Sequence, residues 1–188
     1  MREAQYEKRA KAMKPIIRFP ATVILMSLLL LTQTACTGKT RGFLPGYPHC
    51  DLIKEAAGGD VDKIRELLGK NAYINARDKL ARTPLHYAAR NGHADAVAFL
   101  IEKGADVYAR DTASETPLFY AVRGGHKKVL RLLVEKGADI NAIDKSDKTP
   151  LDIAIEAEDS ELISCLRENG AKTGKEIREQ GNKETREE

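Results

Sequence analysis

The stretch Thr83-Pro84-Leu85-His86-Tyr87-Ala88 recurs as Thr116-Pro117-Leu118-Phe119-Tyr120-Ala121 and again as Thr149-Pro150-Leu151-Asp152-Ile153-Ala154. Both steps are 33 residues. Two other series keep the same step. One is Gly104-Ala105-Asp106, Gly137-Ala138-Asp139 and Gly170-Ala171-Lys172; the other pairs Asn91-Gly92-His93 with Gly124-Gly125-His126. A fixed period of this length marks one supersecondary unit repeated along the chain. Such a unit buries its apolar face only by stacking on its neighbours.

The chemistry within one copy predicts two helices. Thr83 stands at a helix N-cap, where its hydroxyl reaches backbone N–H groups of the first turn. Pro84 follows at the first helical position, where its missing N–H costs no hydrogen bond. Leu85, Ala88 and Ala89 give that helix one apolar side with small residues for close packing, and Asn91-Gly92 ends it. A second helix starts near Ala94, with Val97, Leu100 and Ile101 at helical spacing and Gly104 as a left-handed C-cap. The next copy gives Val129, Leu130, Leu133 and Val134, closed by Gly137.

A 33-residue period carrying T-P-L-H-x-A resembles the ankyrin repeat. The resemblance covers about residues 50–173. It implies an all-α ankyrin-repeat solenoid of about four helix-turn-helix repeats with projecting β-hairpin loops. The repeats fall at about 50–79, 80–112, 113–145 and 146–173, with hairpin tips near 78–82, 111–115 and 144–148. The first copy is degraded: Cys50 and Asp51 replace Thr and Pro, while Leu52, Ala56, Gly59, Ile64, Leu67 and Leu68 stay in register. The last copy carries Glu156, Glu158, Asp159, Glu161, Arg167 and Glu168, a polar exterior. Both departures suit end repeats, which meet water on one side.

The resemblance implies a protein-binding module that uses its concave face and hairpin tips. Carried over by position, the partner-binding residues are Lys79, Leu80, Arg82, Arg90 and Asn91 in the second repeat. The third repeat supplies Thr112, Ala113, Glu115, Arg123 and Gly124. The fourth supplies Lys145, Ser146, Lys148, Glu156 and Ala157. Arg90 and Arg123, with Lys79, Arg82, Lys145 and Lys148, predict a partner with an acidic patch. The resemblance gives the motif residue His86 a structural hydrogen bond between neighbouring repeats.

Hydrophobic residues make up 42% of the chain and charged residues 31%, a balance that belongs to globular and not to disordered proteins. With no Trp and four Phe, the core must be built from Leu, Ile, Val and Ala. The net charge of +3 comes from the N-terminus. Residues 1–35 hold six basic and two acidic side chains, so of 31 basic and 28 acidic residues in all, 25 and 26 remain. A nearly neutral body gives no electrostatic case for nucleic acid. No phosphate loop or nucleophile motif occurs, and the histidine at His86 becomes Phe119 and Asp152 in the next copies. The expectation is a non-enzyme with no cofactor, no metal and no small-molecule substrate. Cys50 and Cys165 fall in the first and last repeats, too far apart to pair, and Cys165 aligns with the core positions Phe99 and Leu132.

Residues 19–35, FPATVILMSLLLLTQTA, are uncharged and follow Lys14 and Arg18. As a helix they span about 25 Å, short of the roughly 30 Å hydrocarbon layer, and they have the layout of an export signal. Thr34-Ala35-Cys36 resembles a bacterial lipobox, with Gln33 where an aliphatic residue is usual. Lipidation at Cys36, an uncleaved membrane anchor and an ordinary cleaved signal all remain open, as does a start at Met13. Acyl chains on Cys36 would suffice for stable anchoring. Residues 36–49 read as a Gly- and Pro-rich spacer, and residues 174–188 as a polar tail, a frayed helix or disordered segment. The expected setting is a bacterial cell envelope, with the repeats facing the periplasm and membrane contact through the N-terminal lipid or anchor. The alternatives are a structural or stress-tolerance scaffold without one tight partner, and a cytoplasm-facing membrane-anchored adaptor.

Overall fold

The computed structural model of the protein describes residues 48–184. The chain divides into two units, Met1–Ala35 and Cys36–Glu188. The apolar run 19–35 and Cys36 lie outside the described residues. The second unit is built from nine helices among the described residues: α1 Pro48–Gly58, α2 Val61–Gly69, α3 Pro84–Arg90, α4 Ala94–Glu102, α5 Pro117–Arg123, α6 Lys127–Glu135, α7 Pro150–Glu156, α8 Ser160–Glu168 and α9 Gly174–Glu184. None of them is long and apolar enough to cross a membrane.

The first eight helices form four pairs. Each internal pair opens on an extended threonine, with ψ of 167° at Thr83, 168° at Thr116 and 168° at Thr149, followed by proline inside the first turn. The first helices end where the chain turns left-handed, at Gly92 and Gly125. The fourth repeat places Glu158 in that conformation, with φ of 54°. The second helices start differently at the ends and in the middle of the stack. In α2 and α8 the carboxylates of Asp60 and Asp159 accept the N–H groups of Lys63 and Leu162. In α4 and α6 the N-cap residues are His93 and His126.

Packing follows the 33-residue columns. Leu52, Leu85, Leu118 and Leu151 are all fully buried, one per repeat, and each is worth about 1.5–3 kcal/mol of apolar burial. The column Ala56, Ala89, Val122, Ile155 shows where the stack stops. Its first three members are buried, and Ile155 is 42% exposed because no full repeat follows it. Cys165 lies in the core as a free thiol.

The expectation of projecting β-hairpin loops is overturned: among the described residues there is no β-strand. A ladder needs several residues paired in succession. Here the connecting segment has turned back on itself before that length is reached. Ala109 N–H bonds to the Asp106 carbonyl and Tyr108 N–H to the Asp106 carboxylate, so only a short extended stretch precedes the tip. Each tip then closes with two backbone bonds, as Asp111 N–H to Glu115 O and Ser114 N–H to Asp111 O, and adjacent tips join through one more, as Thr112 N–H to Leu80 O.

Two boundaries also differ from expectation. Pro48 and His49 belong to α1 and not to a spacer. Residues 174–184, expected to be a frayed helix or a disordered segment, form the helix α9. Thr173 and Glu176 explain this, because the Glu176 carboxylate accepts both the N–H and the hydroxyl of Thr173. The same cap opens α7, where Asp152 accepts both groups of Thr149. The helix is anchored by Gly174 N–H donating to Asp152 Oδ2 at 2.7 Å and by Lys172 N–H donating to Asn141 Oδ1 at 2.7 Å. Residues 173–184 thus open as the first helix of a repeat does, without the tip that precedes α3, α5 and α7.

Candidate protein-binding surface

Three aspartates build the tips. Asp78 Oδ1 accepts the N–H groups of Leu80 and Arg82 at 2.8 and 2.9 Å. Asp111 does the same for Ala113 and Glu115, and Asp144 for Ser146 and Lys148. The turn forces Ala81, Ser114 and Asp147 into positive φ, at 60°, 64° and 57°. Adjacent tips are tied in a row. Thr112 N–H donates to Leu80 O and Lys145 N–H to Ala113 O. Arg77 donates to Arg110 O, and Arg110 in turn to Ile143 O. A row held this way presents its side chains with little conformational entropy left to lose on binding.

The first helices brace the tips from beneath. Tyr87 donates its hydroxyl to Asp78 Oδ2 at 2.7 Å, and Tyr120 to Asp111 Oδ2 at 2.8 Å. Burial pushes the Tyr87 hydroxyl up to about 12, with the Asp78 carboxylate adding to the effect. Tyr120 is raised for the same reasons. Burial also pulls the Asp78 carboxyl upward, but hydrogen bonds from Arg82, Tyr87 and the backbone outweigh it and hold it below its usual range. The aspartates recur at 33-residue spacing and were visible in the sequence, yet the nine-residue Asp–Tyr partnership emerges only when the loop folds back on its helix.

Histidines join the repeats. His86 is fully buried. Its Nδ1 accepts Thr83 N–H at 3.0 Å, and its Nε2 lies 3.2 Å from Glu115 O in the next repeat. His93 Nε2 reaches Ala57 O at 3.0 Å and His126 Nε2 reaches Arg90 O at 2.9 Å. These rings lie against glycine: a side-chain carbon at Gly59 or Gly92 would come within 2.6 Å of the ring of His93 or His126. In the third repeat Phe119 replaces the histidine, and Thr116 Oγ1 is left buried without a hydrogen-bond partner. Among the described residues no group of three or more His, Cys, Asp and Glu is placed to hold a metal ion.

The residues expected to meet a partner divide into two groups. Lys79, Leu80, Arg90, Asn91, Thr112, Ala113, Arg123, Lys145 and Ser146 are exposed. Arg82 and Lys148 are half-buried, and Glu115 is buried at 8%. Ion pairs explain the second group. Arg82 bonds to Asp78 and lies over the Tyr87 ring, Glu115 pairs with Arg123, and Lys148 pairs with Glu156 at 2.6 Å. Arg90 and Arg123 are neighbouring cations in the sequence pattern, and the structure pairs the second with Glu115. Of the residues expected to meet a partner, the cations without an ion pair among the described residues are Arg90, Lys79 and Lys145. Asn91 uses its amide on Ala57 O, so its contribution to a partner is shared with the fold.

A row of stacked helix pairs, with tied turns projecting from one edge and motif residues consumed by the core, defines a solenoid scaffold. The family model described as Ankyrin repeats (3 copies) matches residues 52–111 and 107–177, and the chain belongs to the ankyrin-repeat family. Domains of this family mediate protein–protein interaction and are non-catalytic scaffolds. A comparison with curated proteins returns no match.

Proposed function

We propose that this chain is a protein-binding module tethered at a bacterial cell envelope through Cys36, with its repeats facing the periplasm. The observation that carries the binding reading is the division of labour within each repeat. Thr83, Pro84, Leu85, His86 and their counterparts Thr116, Pro117, Leu118, Thr149, Pro150 and Leu151 are all buried, while the exposed tip pairs differ, Lys79-Leu80, Thr112-Ala113 and Lys145-Ser146. Selection for folding accounts for the first set. Recognition accounts for the second, including Leu80, an apolar side chain left 48% exposed on a turn.

The partner contacts the tips and the adjoining end of the first helices, and places a carboxylate at Arg90. The tether rests on the charge-free run 19–35 behind Lys14 and Arg18, and on Cys36 at its end. A cross-linking pull-down from envelope membranes tests the binding reading, with Arg90→Glu and Arg123→Glu as separate variants. One dominant partner lost with Arg90→Glu supports it. A partner captured equally by wild type and by Arg90→Glu counts against this surface. Intact mass tests the tether: a chain that keeps residues 1–35, or lacks acyl mass on Cys36, removes it.

A further inference from the structure

The second helices carry a surface that the tips do not share. Between α4 and α6 runs a groove of about 540 Å³. Its floor is Ala94, Ala98 and Leu132, and its α6 wall is Lys127, Lys128 and Arg131. The groove exists because Ala98 is short. The equivalent position holds Arg65 in the first repeat and Arg131 in the third.

The charge of that wall departs from the repeat pattern. Helices α2, α4 and α8 carry Asp62, Asp95 and Glu161 in their first turns, where a carboxylate meets the positive end of the helix. Helix α6 has no acid there and sets Lys127 and Lys128 in that turn instead. Two lysines at a helix N-terminus weaken the helix. A local choice made against stability points to a demand from outside the fold. Lys127 is partly answered by Glu161 at 3.4 Å, whereas Lys128 has no ion pair among the described residues.

We infer that this groove docks an acidic amphipathic helix of a partner protein, its apolar side on the alanine floor and its carboxylates against Lys128 and Arg131. A helix fits because Lys128 and Arg131 are about one turn apart on α6, which matches carboxylates about one turn apart on the occupant. An extended peptide would need an open backbone ladder to pair with, and both walls are helices whose backbone bonds are internal. Asp95 and Glu135 also line the groove, so the occupant must confine its carboxylates to one side, which an amphipathic helix does and a uniformly charged polyanion such as nucleic acid does not. The site is distinct from the tips, none of which line it.

The test is fluorescence anisotropy on the full chain with a labelled 18-residue helical peptide, long enough to cover the 9-residue α6 wall. The probe has a Leu/Ala face and Glu at i, i+4 spacing, and its control carries Lys in place of Glu. The acidic peptide binds at least about tenfold tighter than the lysine control, and its affinity falls as salt rises. Lys128→Glu with Arg131→Glu lowers affinity at least about tenfold, and so does Ala98→Arg, which fills the groove with the residue the first repeat already tolerates. Arg90→Glu leaves it unchanged. Equal binding of the two peptides overturns the inference, as does unchanged affinity in Ala98→Arg or loss of binding in Arg90→Glu. Anionic vesicles that bind through Lys128 and Arg131 while the acidic peptide does not would also overturn it, in favour of a lipid surface.

Discussion

Acid should loosen this protein through a single ring, that of His86. The side chain is fully buried between the second and third repeats. Because Nδ1 accepts Thr83 N–H, the ring proton sits on Nε2 and is donated to Glu115 O. Burial drives the His86 pKa from 6.5 down to about 4, against a smaller opposing pull from the Glu115 carbonyl and from Asp111. The unfolded chain therefore takes up this proton first as pH falls. The contribution of the neutral ring is full above about pH 6.5, declines through the acid range and levels off below about pH 4. Integrated between pH 7 and pH 5, the loss is about 2 kcal/mol, rising toward about 3 kcal/mol at the limit. With a urea m-value of about 2 kcal/mol/M, the denaturation midpoint drops by about 1 M over that interval. The comparison variant is His86→Asn. Its amide oxygen can accept Thr83 N–H as Asp152 accepts Thr149 N–H, without titrating. It starts less stable at pH 7 by about 2 kcal/mol, because it loses the bond to Glu115 and the edge-on contact of the ring with Tyr120 at 5.1 Å. Its midpoint then falls less steeply with acid than that of the wild type. Parallel declines in the two proteins would refute the assignment of the acid sensitivity to His86.

Three further substitutions probe the stack. Leu133 is fully buried in α6, and Leu133→Ala costs about 2–5 kcal/mol in urea melts; a loss within error would mean that the register of the second helices is wrong. Glu158 holds φ of 54° where Gly59, Gly92 and Gly125 stand in the other repeats. Glu158→Gly relieves about 1 kcal/mol of strain and returns part as chain entropy, for a net gain of about 0.5 kcal/mol, and a lowered midpoint would contradict the strain. A side-chain carbon at Gly174 would collide with the Asp147 carbonyl. Gly174→Ala therefore frees α9, read as faster amide exchange over residues 174–184, even though alanine is the better helix former; slower exchange there would show that propensity outweighs docking.

The repeat architecture was legible in the sequence because its signals are local and periodic. Thr-Pro at a helix start, Leu85 with Ala88, and a glycine at the left-handed exit each act within a few residues, and the 33-residue step lines them up. That is enough to assign the helix pairs, the buried leucine column and the core position of Cys165. The tips failed differently. Whether an extended pair of segments becomes a ladder depends on how soon the chain turns back, and Asp78, Asp111 and Asp144 close each turn before strands form. The binding surface was legible as positions but not as charges. Arg90 and Arg123 occupy the same repeat position, but eight residues before them stand Arg82 and Glu115, and Glu115 meets Arg123 only when the loop folds back on its own helix. For α9 the sequence left a frayed helix and a disordered segment both open: its cap is a local pair, Thr173 and Glu176, but its anchors are Asn141 and Asp152 from the repeat before. Sequence alone determined what each repeat is, because hydrogen bonding and burial within a repeat are short-range. Tertiary structure decided which charges are neutralised, because each loop folds back on its own helix, and it decided where a groove opens beside Ala98 and where the stack ends, because those depend on what the neighbouring repeat sets opposite.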